Sequence, residues 1–149
     1  MTISRRDLLA SGAALGTTFG LGLSVALAAD VAETAPAKAA ATDGLARAAA
    51  ECVRIGEECL QHCLVLLAQG DTSLGDCAKT AQQMLAVCRA AGPLVYADSK
   101  HLRTFAMLCA DVCGDCETTC RKHEGHHAIC KQCADACAKT LAEAKKLAA

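Results

Sequence analysis

The spacing of the cysteines constrains this chain more than any other feature of its sequence. Residues 108–120, LCADVCGDCETTC, contain four cysteines at steps of three and four residues, and they contain no proline. Side chains at these steps lie on one face of an α-helix, at positions that core leucines usually occupy. The stretch therefore predicts a helix whose buried face carries thiols.

All twelve cysteines of the chain lie on stripes of this kind, which recur in four segments. Residues such as Ile55, Leu102 and Leu141 continue the stripes where cysteine is absent. We expect every cysteine to face a common core as a candidate metal ligand: Cys52, Cys59, Cys63, Cys77, Cys88, Cys109, Cys113, Cys116, Cys120, Cys130, Cys133 and Cys137. At the helical rise, Cys109 to Cys120 alone spans about 16 Å, so a tube of thiols is predicted along the interior.

Turn and capping residues mark the ends of the first helices. The first helix is expected to start at Thr42 or Asp43, whose side chains suit an N-cap, and to stop before Gly70. Ser73, followed by Asp76 three residues later, resembles a capping box and predicts the start of a second helix.

The remaining boundaries follow from similar signals. The second helix is expected to end at Gly92-Pro93, because proline disfavours a helical residue before it, and a short extra turn is expected before Asp98. A third helix is predicted from about Asp98 to Lys122, and a fourth from about His126 to the C-terminus. Four such helices with short connections predict an all-α fold, an antiparallel up-down-up-down four-helix bundle with a cysteine-lined core.

The N-terminus has the pattern of an export signal. The twin-arginine stretch SRRDLL precedes an apolar run that ends at the small-residue site ALA. We expect residues 1–28 to be a removable twin-arginine signal peptide, residues 29–41 a flexible leader, and residues 42–149 the metal-binding bundle. The predicted location is the periplasm, with no membrane association once the signal is removed.

The charge balance gives no reason to expect a nucleic acid partner. Without the predicted signal, 13 of the 15 basic and 15 of the 16 acidic residues remain, so the net charge is near −2 with histidine neutral. Two phenylalanines and one tyrosine in the whole chain also leave little for base stacking.

Several roles for twelve inward thiols are open. Buried cysteine can serve as a small hydrophobe, but leucine would bury more apolar area. In an exported protein, disulfides are common, so a disulfide-crosslinked structural bundle is an alternative, although stapled scaffolds are usually small and loop-rich. Thiolates also select soft metals, which leaves Cu(I), zinc and iron-sulfur clusters.

Charge favours copper among these metals. Zinc at four thiolates per ion leaves each buried site doubly negative, and hardly any basic residue lies on the stripes to offset that charge. One Cu(I) per thiolate leaves the core neutral, so many ions per chain are expected.

The alternating helix directions predict two different bundle ends. One end collects histidines as candidates for metal uptake: His62, His123, His126 and His127. Cys63, Cys77, Cys120 and Cys130 are expected beside them, whereas residues such as Leu102 and Phe105 close the other end. Glu57, Glu58 and His62 come nearest to an acid–base cluster, but Glu58 and His62 are expected to form a helix-surface pair, so no enzyme is predicted.

Two stretches resemble the copper storage proteins, four-helix bundles with cysteine-lined cores. They are residues 109–137, CADVCGDCETTCRKHEGHHAICKQCADAC, and residues 51–63, ECVRIGEECLQHC, within a resemblance that spans about residues 46–146. The resemblance implies storage of multiple Cu(I) ions per chain, with the twelve cysteines as ligands, either to supply copper enzymes or smaller chelators or to detoxify copper. It also implies a homo-oligomer, a tetramer in exported members.

One departure from that family concerns methionine. Several methionines are expected beside the histidine at the mouth of the bundle, yet only Met84 and Met107 follow the predicted signal. Leu66 and Leu74 stand at nearby positions instead. Histidines are therefore the better candidates for the uptake route.

Overall fold

The computed structural model describes the backbone of residues 26–148 and the side chains of residues 39–148. The predicted signal peptide therefore lies almost entirely outside the described residues. The described chain is helical between its turns, with four long helices: α1 (Ala26–Ala68), α2 (Gly75–Cys88), α4 (Leu102–Arg121) and α5 (Ala128–Ala148). A 3-10 turn (Thr72–Leu74) precedes α2, and the short helix α3 (Ala91–Tyr96) follows it.

The four long helices form a bundle in which α1 and α4 lie diagonally opposite each other. Each of these two packs against both α2 and α5. Cys77 at the start of α2 contacts Cys120 at the end of α4, whereas Cys88 at the end of α2 contacts Cys109 near the start of α4. These two contacts require α2 and α4 to run in opposite directions, and the packing of the four long helices confirms the predicted four-helix bundle.

The first helix begins earlier than the sequence predicts. It starts at Ala26 instead of Thr42 or Asp43, so the backbone of the predicted leader, residues 29–41, is helical. This segment is rich in alanine, the residue with the highest helix propensity. It was not predicted to be helical because it lacks the apolar periodicity on which the helix predictions were based. The flexibility of this segment stays a prediction.

The turn between α1 and α2 uses two capping devices. Gly70, at φ 92°, adopts the left-handed conformation that glycine permits, and its N–H donates to Leu67 while that of Asp71 donates to Leu66. The Asp71 carboxylate then accepts the N–H of Ser73 at 3.0 Å. The expected capping box at Ser73 was therefore wrong, because Asp71 provides the cap two residues earlier.

The connection between α2 and α4 closes one end of the bundle. The second helix ends at Cys88, before the expected Gly92-Pro93 stop, and the extra turn is α3. Pro93 lies in the first turn of α3, where its missing N–H removes no helical hydrogen bond. Val95 of α3 packs with Ala46 and Leu102, so apolar side chains cover this end, as the sequence predicts.

The core is built from small apolar residues and sulfur. Thr119 and Thr140 are the buried polar residues of the described chain, and each hydroxyl donates to a carbonyl in its own helix. No helix in the part of the chain that the structure describes is both long and apolar enough to span a bilayer.

Candidate metal centre

All twelve cysteine side chains lie in the interior of the bundle. Cys88 is 2% exposed and the others are fully buried, which confirms that the stripes face inward. Each stripe belongs to one helix, where steps of three and four residues stack successive thiols along the axis. The antiparallel packing then places sulfurs from different helices at the same height.

The sulfur atoms are close to each other but not bonded. Neighbouring Sγ atoms lie between 3.3 Å, for Cys77 and Cys120, and 4.0 Å, for Cys116 and Cys120. A disulfide requires about 2.05 Å, so all twelve thiols are free. With metal–sulfur bonds of about 2.3 Å, as in zinc thiolates, two sulfurs sharing one ion lie about 4 Å apart. The thiols are therefore spaced for shared metal ions.

Eleven of the cysteines fall into four groups whose sulfurs all lie within 4.8 Å of one another. The groups are Cys59, Cys63, Cys77 and Cys130; Cys52, Cys88 and Cys113; Cys59, Cys120 and Cys133; and Cys116, Cys133 and Cys137. The twelfth, Cys109, has its sulfur 3.9 Å from that of Cys88. Cys59 and Cys133 each belong to two groups and so link three of them, and the Sγ of Cys52 lies 3.6 Å from that of Cys137, which joins the fourth group to the same column.

The interior disfavours isolated thiolate charges. Burial raises the pKa of Cys130 to about 11, and repulsion from Cys77 adds to the effect. Cys63 accepts a hydrogen bond from Cys59 that lowers its pKa, but Cys77 and burial outweigh it and raise the pKa to about 12. Metal-free Cys63 and Cys130, with these raised pKa values, are thus protonated at neutral pH, and a bound cation has to replace their protons.

Three of the four predicted histidines meet at one end of the bundle. Nε2 of His62 lies 3.0 Å from Nδ1 of His127, and the rings of His123 and His127 are 6.4 Å apart between centroids. His62 directly precedes Cys63, and His127 lies three residues before Cys130. His126 is exposed to solvent, so the structure brings the first three together beside the four-thiol group.

The carboxylates near His62 are engaged elsewhere. Glu58 pairs with Arg54 at 2.8 Å, and Glu57 pairs with Arg89 at 2.8 Å. The expected pair of Glu58 and His62 was therefore wrong, because arginine offers Glu58 a full charge on the same helix face and His127 takes the imidazole.

One sulfur was not among the predicted candidates. Met84 is fully buried, and its Sδ lies 3.4 Å from the Sγ of Cys52. The sequence did place Met84 on the cysteine stripe of α2, which could have identified it as a candidate ligand. Methionine at such a position is, however, also an ordinary core residue.

The fold and the sulfur geometry together define a class, a thiol-lined helical bundle able to hold several soft metal ions. Residues 38–149 match the copper storage protein family, Csp, and the chain belongs to that family. The description of this family is copper storage. The thiolates of the core are the groups that bind the metal, and the disulfide-crosslinked alternative is not supported.

Two further comparisons agree with this assignment. The chain is 28% identical to the uncharacterized cysteine-rich protein YhjQ of Bacillus subtilis (strain 168) over 99 residues, which are 66% of this chain and 88% of that protein. Its fold is similar to that of a cytosolic copper storage protein from Streptomyces lividans, solved with five coppers, with a TM-score of 0.68 and 24% identity. The match covers 76% of this chain and 96% of the other, and at this identity it concerns the fold.

Proposed function

We propose that this chain is an exported reservoir for Cu(I), in which all twelve cysteines are ligands and the capacity is about one ion per thiolate. The observation that carries the proposal is the column of free, buried thiols, whose closest sulfurs lie 3.3–4.0 Å apart and whose groups lie within 4.8 Å. Such a column offers each ion two or three sulfurs from adjacent helix turns or adjacent helices.

Charge balance supports Cu(I) over zinc in this interior. Among the described residues, no lysine or arginine is buried, so nothing in the core offsets surplus thiolate charge. A monovalent ion that replaces each thiol proton leaves the column neutral, whereas zinc at four thiolates leaves two negative charges per ion. The structural neighbour with five coppers supports the same metal.

The histidine end is the proposed route for uptake and release. His62 and His127 lie beside the thiol group of Cys59, Cys63, Cys77 and Cys130, at the end that α3 does not cover. At the other end, a surface cleft of about 400 Å³ reaches Cys88, and it is the competing route. Copper enzymes or smaller chelators are the proposed recipients, and sequestration of excess copper is the other use of the same store.

Export and assembly complete the proposal. The twin-arginine pattern at residues 4–9 supports transport to the periplasm, where the folded bundle keeps its thiols away from oxidants. A homotetramer is proposed from the resemblance to exported copper storage proteins. The neighbour from Streptomyces lividans is described as cytosolic, so the proposed export would distinguish this chain from that protein.

The test combines thiol counting with metal titration. Freshly isolated protein is denatured without reductant and its free thiols are counted, and the folded protein is then titrated with Cu(I) against a competing chelator. Native mass spectrometry gives the number of ions per chain. We expect close to twelve free thiols and several tightly held Cu(I) ions that displace any bound zinc.

Each negative result of these measurements supports a different alternative function. Thiol counts near zero support a disulfide-crosslinked bundle and overturn the reservoir. Full thiol counts with a single zinc ion that Cu(I) does not displace support a structural zinc protein. Secretion is tested separately, since replacing Arg5 and Arg6 by lysine is expected to retain the protein in the cytoplasm if the twin-arginine route is used.

A further inference from the structure

The sulfur of Met84 lies inside the thiol column. Its Sδ is 3.4 Å from the Sγ of Cys52, and the side chain is fully buried. We propose that Met84 is a neutral thioether ligand that shares a Cu(I) ion with Cys52. The inference rests on the proposed storage of Cu(I) and adds a ligand that is not a cysteine.

The position of Met84 matches a gap in the cysteine ladder. On α1, Cys52 and Cys59 are two turns apart, about 10 Å along the axis, and the inward residue between them is Gly56. On α2, no cysteine lies between Cys77 and Cys88. The α1–α2 side of the column therefore lacks thiols between the level of Cys52 and Cys88 and the level of Cys59 and Cys77, and Met84 provides a sulfur at the Cys52 edge of this stretch.

The side of the bundle opposite this gap has no such interruption. On α4, Cys113 and Cys116 are three residues apart, and on α5 Cys133 and Cys137 are four residues apart. An ion bound to Cys52 of α1 at this edge therefore has thiols of α4 and α5 on its other side. A thioether from α2 completes its surroundings.

The glycine opposite Met84 fixes the orientation of the thioether. A Cβ atom on Gly56 would lie 2.5 Å from the methyl carbon of Met84 and 3.1 Å from Cδ2 of Leu85. The missing side chain thus forms a notch that holds the methyl group. With the methyl group held in this notch, the sulfur of Met84 faces the thiol of Cys52.

The hydrogen bond between these sulfurs shows where an ion can sit. A thioether has no proton, so Cys52 donates its S–H and Met84 accepts it. Cu(I) takes the place of that proton between the two sulfurs, and the proton leaves to solvent. One positive charge replaces another, and the neutral thioether adds no charge that would require a second ion.

The remaining ligands of such an ion are already in place. Cys52 lies 3.6 Å from Cys137 and belongs to the group with Cys88 and Cys113. A thioether is a soft ligand that suits Cu(I) and discriminates against zinc. The competing interpretation is that Met84 is an adaptable core residue, a role that leucine would fill equally well.

Selenomethionine labelling separates these two interpretations. The chain has three methionines, Met1, Met84 and Met107, and Met107 is 54% exposed. We expect X-ray absorption at the selenium edge of the Cu(I)-loaded chain to show copper as a neighbour of selenium. This signal should vanish in Met84→Leu and persist in Met107→Leu, the matched control.

A second readout uses unlabelled protein. Met84→Leu keeps the side-chain volume and is expected to fold, as circular dichroism would verify. Against a competing chelator, it should retain at least one Cu(I) ion fewer than Met107→Leu. Equal retention, or loaded protein without selenium–copper scattering, overturns the thioether ligand and leaves the reservoir intact. A wild-type chain that takes up no Cu(I) overturns both proposals.

Discussion

His62 and His127 share a hydrogen bond of 3.0 Å between Nε2 of the first ring and Nδ1 of the second. One ring donates and the other accepts, so at least one of them is neutral. The bond links α1 to the residue just before α5, beside the outermost thiol group. A metal ion that binds either of these nitrogen atoms has to replace this bond.

Truncating this pair should slow the uptake of copper without reducing the capacity. We expect His62→Ala and His127→Ala to bind as many Cu(I) ions as the wild type but to load more slowly from a chelated donor, as stopped-flow absorbance would measure. His101→Ala is the control, because His101 is exposed next to the start of α4, at the other end. Equal rates for all three variants would indicate uptake through the cleft at Cys88.

Replacing Cys133 or Cys109 by alanine removes the same buried thiol group, but the two variants should differ in the number of Cu(I) ions that they hold. Cys133 belongs to two of the sulfur groups, whereas Cys109 belongs to none, and both are fully buried. Cys133→Ala is therefore expected to lose at least two tightly held ions, and Cys109→Ala no more than one. Each truncation should cost the metal-free fold only about 1 kcal/mol. Native mass spectrometry after chelator challenge gives the counts, and equal losses would contradict linked clusters.

Alkaline pH should destabilise the metal-free protein. Below pH 9, the ordinary pKa of cysteine, Cys63 and Cys130 are protonated in the folded and the unfolded chain alike. Above it, the unfolded chain loses these protons while the folded chain keeps them up to about pH 11 for Cys130 and about pH 12 for Cys63. The stability present below pH 9 is therefore lost as the pH rises through this window, by at most about 1.4 kcal/mol per pH unit for each thiol.

Urea denaturation between pH 8 and pH 11 under anaerobic conditions would measure this loss. The Cu(I)-loaded protein is the control, because its thiolates have already exchanged their protons for metal and should show a much flatter profile. A metal-free protein whose stability does not change over this range would show that its thiols are not shielded from ionisation.

Filling the notch at Gly56 should destabilise the bundle. In Gly56→Ala, the new methyl group would meet the Met84 methyl carbon at 2.5 Å, so Met84 has to move. Overpacking costs about 1–3 kcal/mol, against a gain of about 1 kcal/mol in helix propensity, so we expect a net loss of up to about 2 kcal/mol. Gly75→Ala, which has open space around the new atom, should show no loss in the same thermal denaturation experiment.

The inward direction of the cysteines was predictable because helical periodicity is a local property. Steps of three and four residues are sufficient to place Cys109, Cys113 and Cys116 on one face. The partners across helices were not predictable, because the contact between Cys77 and Cys120 depends on the relative height of α2 and α4. That height is set by the turns, where the cap at Asp71 and the end of α2 at Cys88 differed from expectation.

Two other features could not be predicted from spacing alone. The bond between His62 and His127 depends on how the turn after α4 approaches the end of α1. The contact between Met84 and Cys52 depends on a glycine 28 positions away in the sequence, a tertiary relationship that no single-helix pattern contains. The long N-terminal part of α1 was missed for a different reason, because alanine has high helix propensity but gives no apolar stripe.

The hydrogen bonds of the two buried threonines affect how the helices can respond to metal binding. Thr119 and Thr140 each satisfy their hydroxyl within one helix, and no buried side-chain nitrogen or oxygen of the described chain lacks a partner. No directional bond between oxygen or nitrogen atoms therefore ties the helices together through the interior. We therefore expect any change in helix spacing on metal loading to be absorbed by sulfur and methyl contacts in the core, while ion pairs such as Arg121 with Asp135 hold the helices together at the surface.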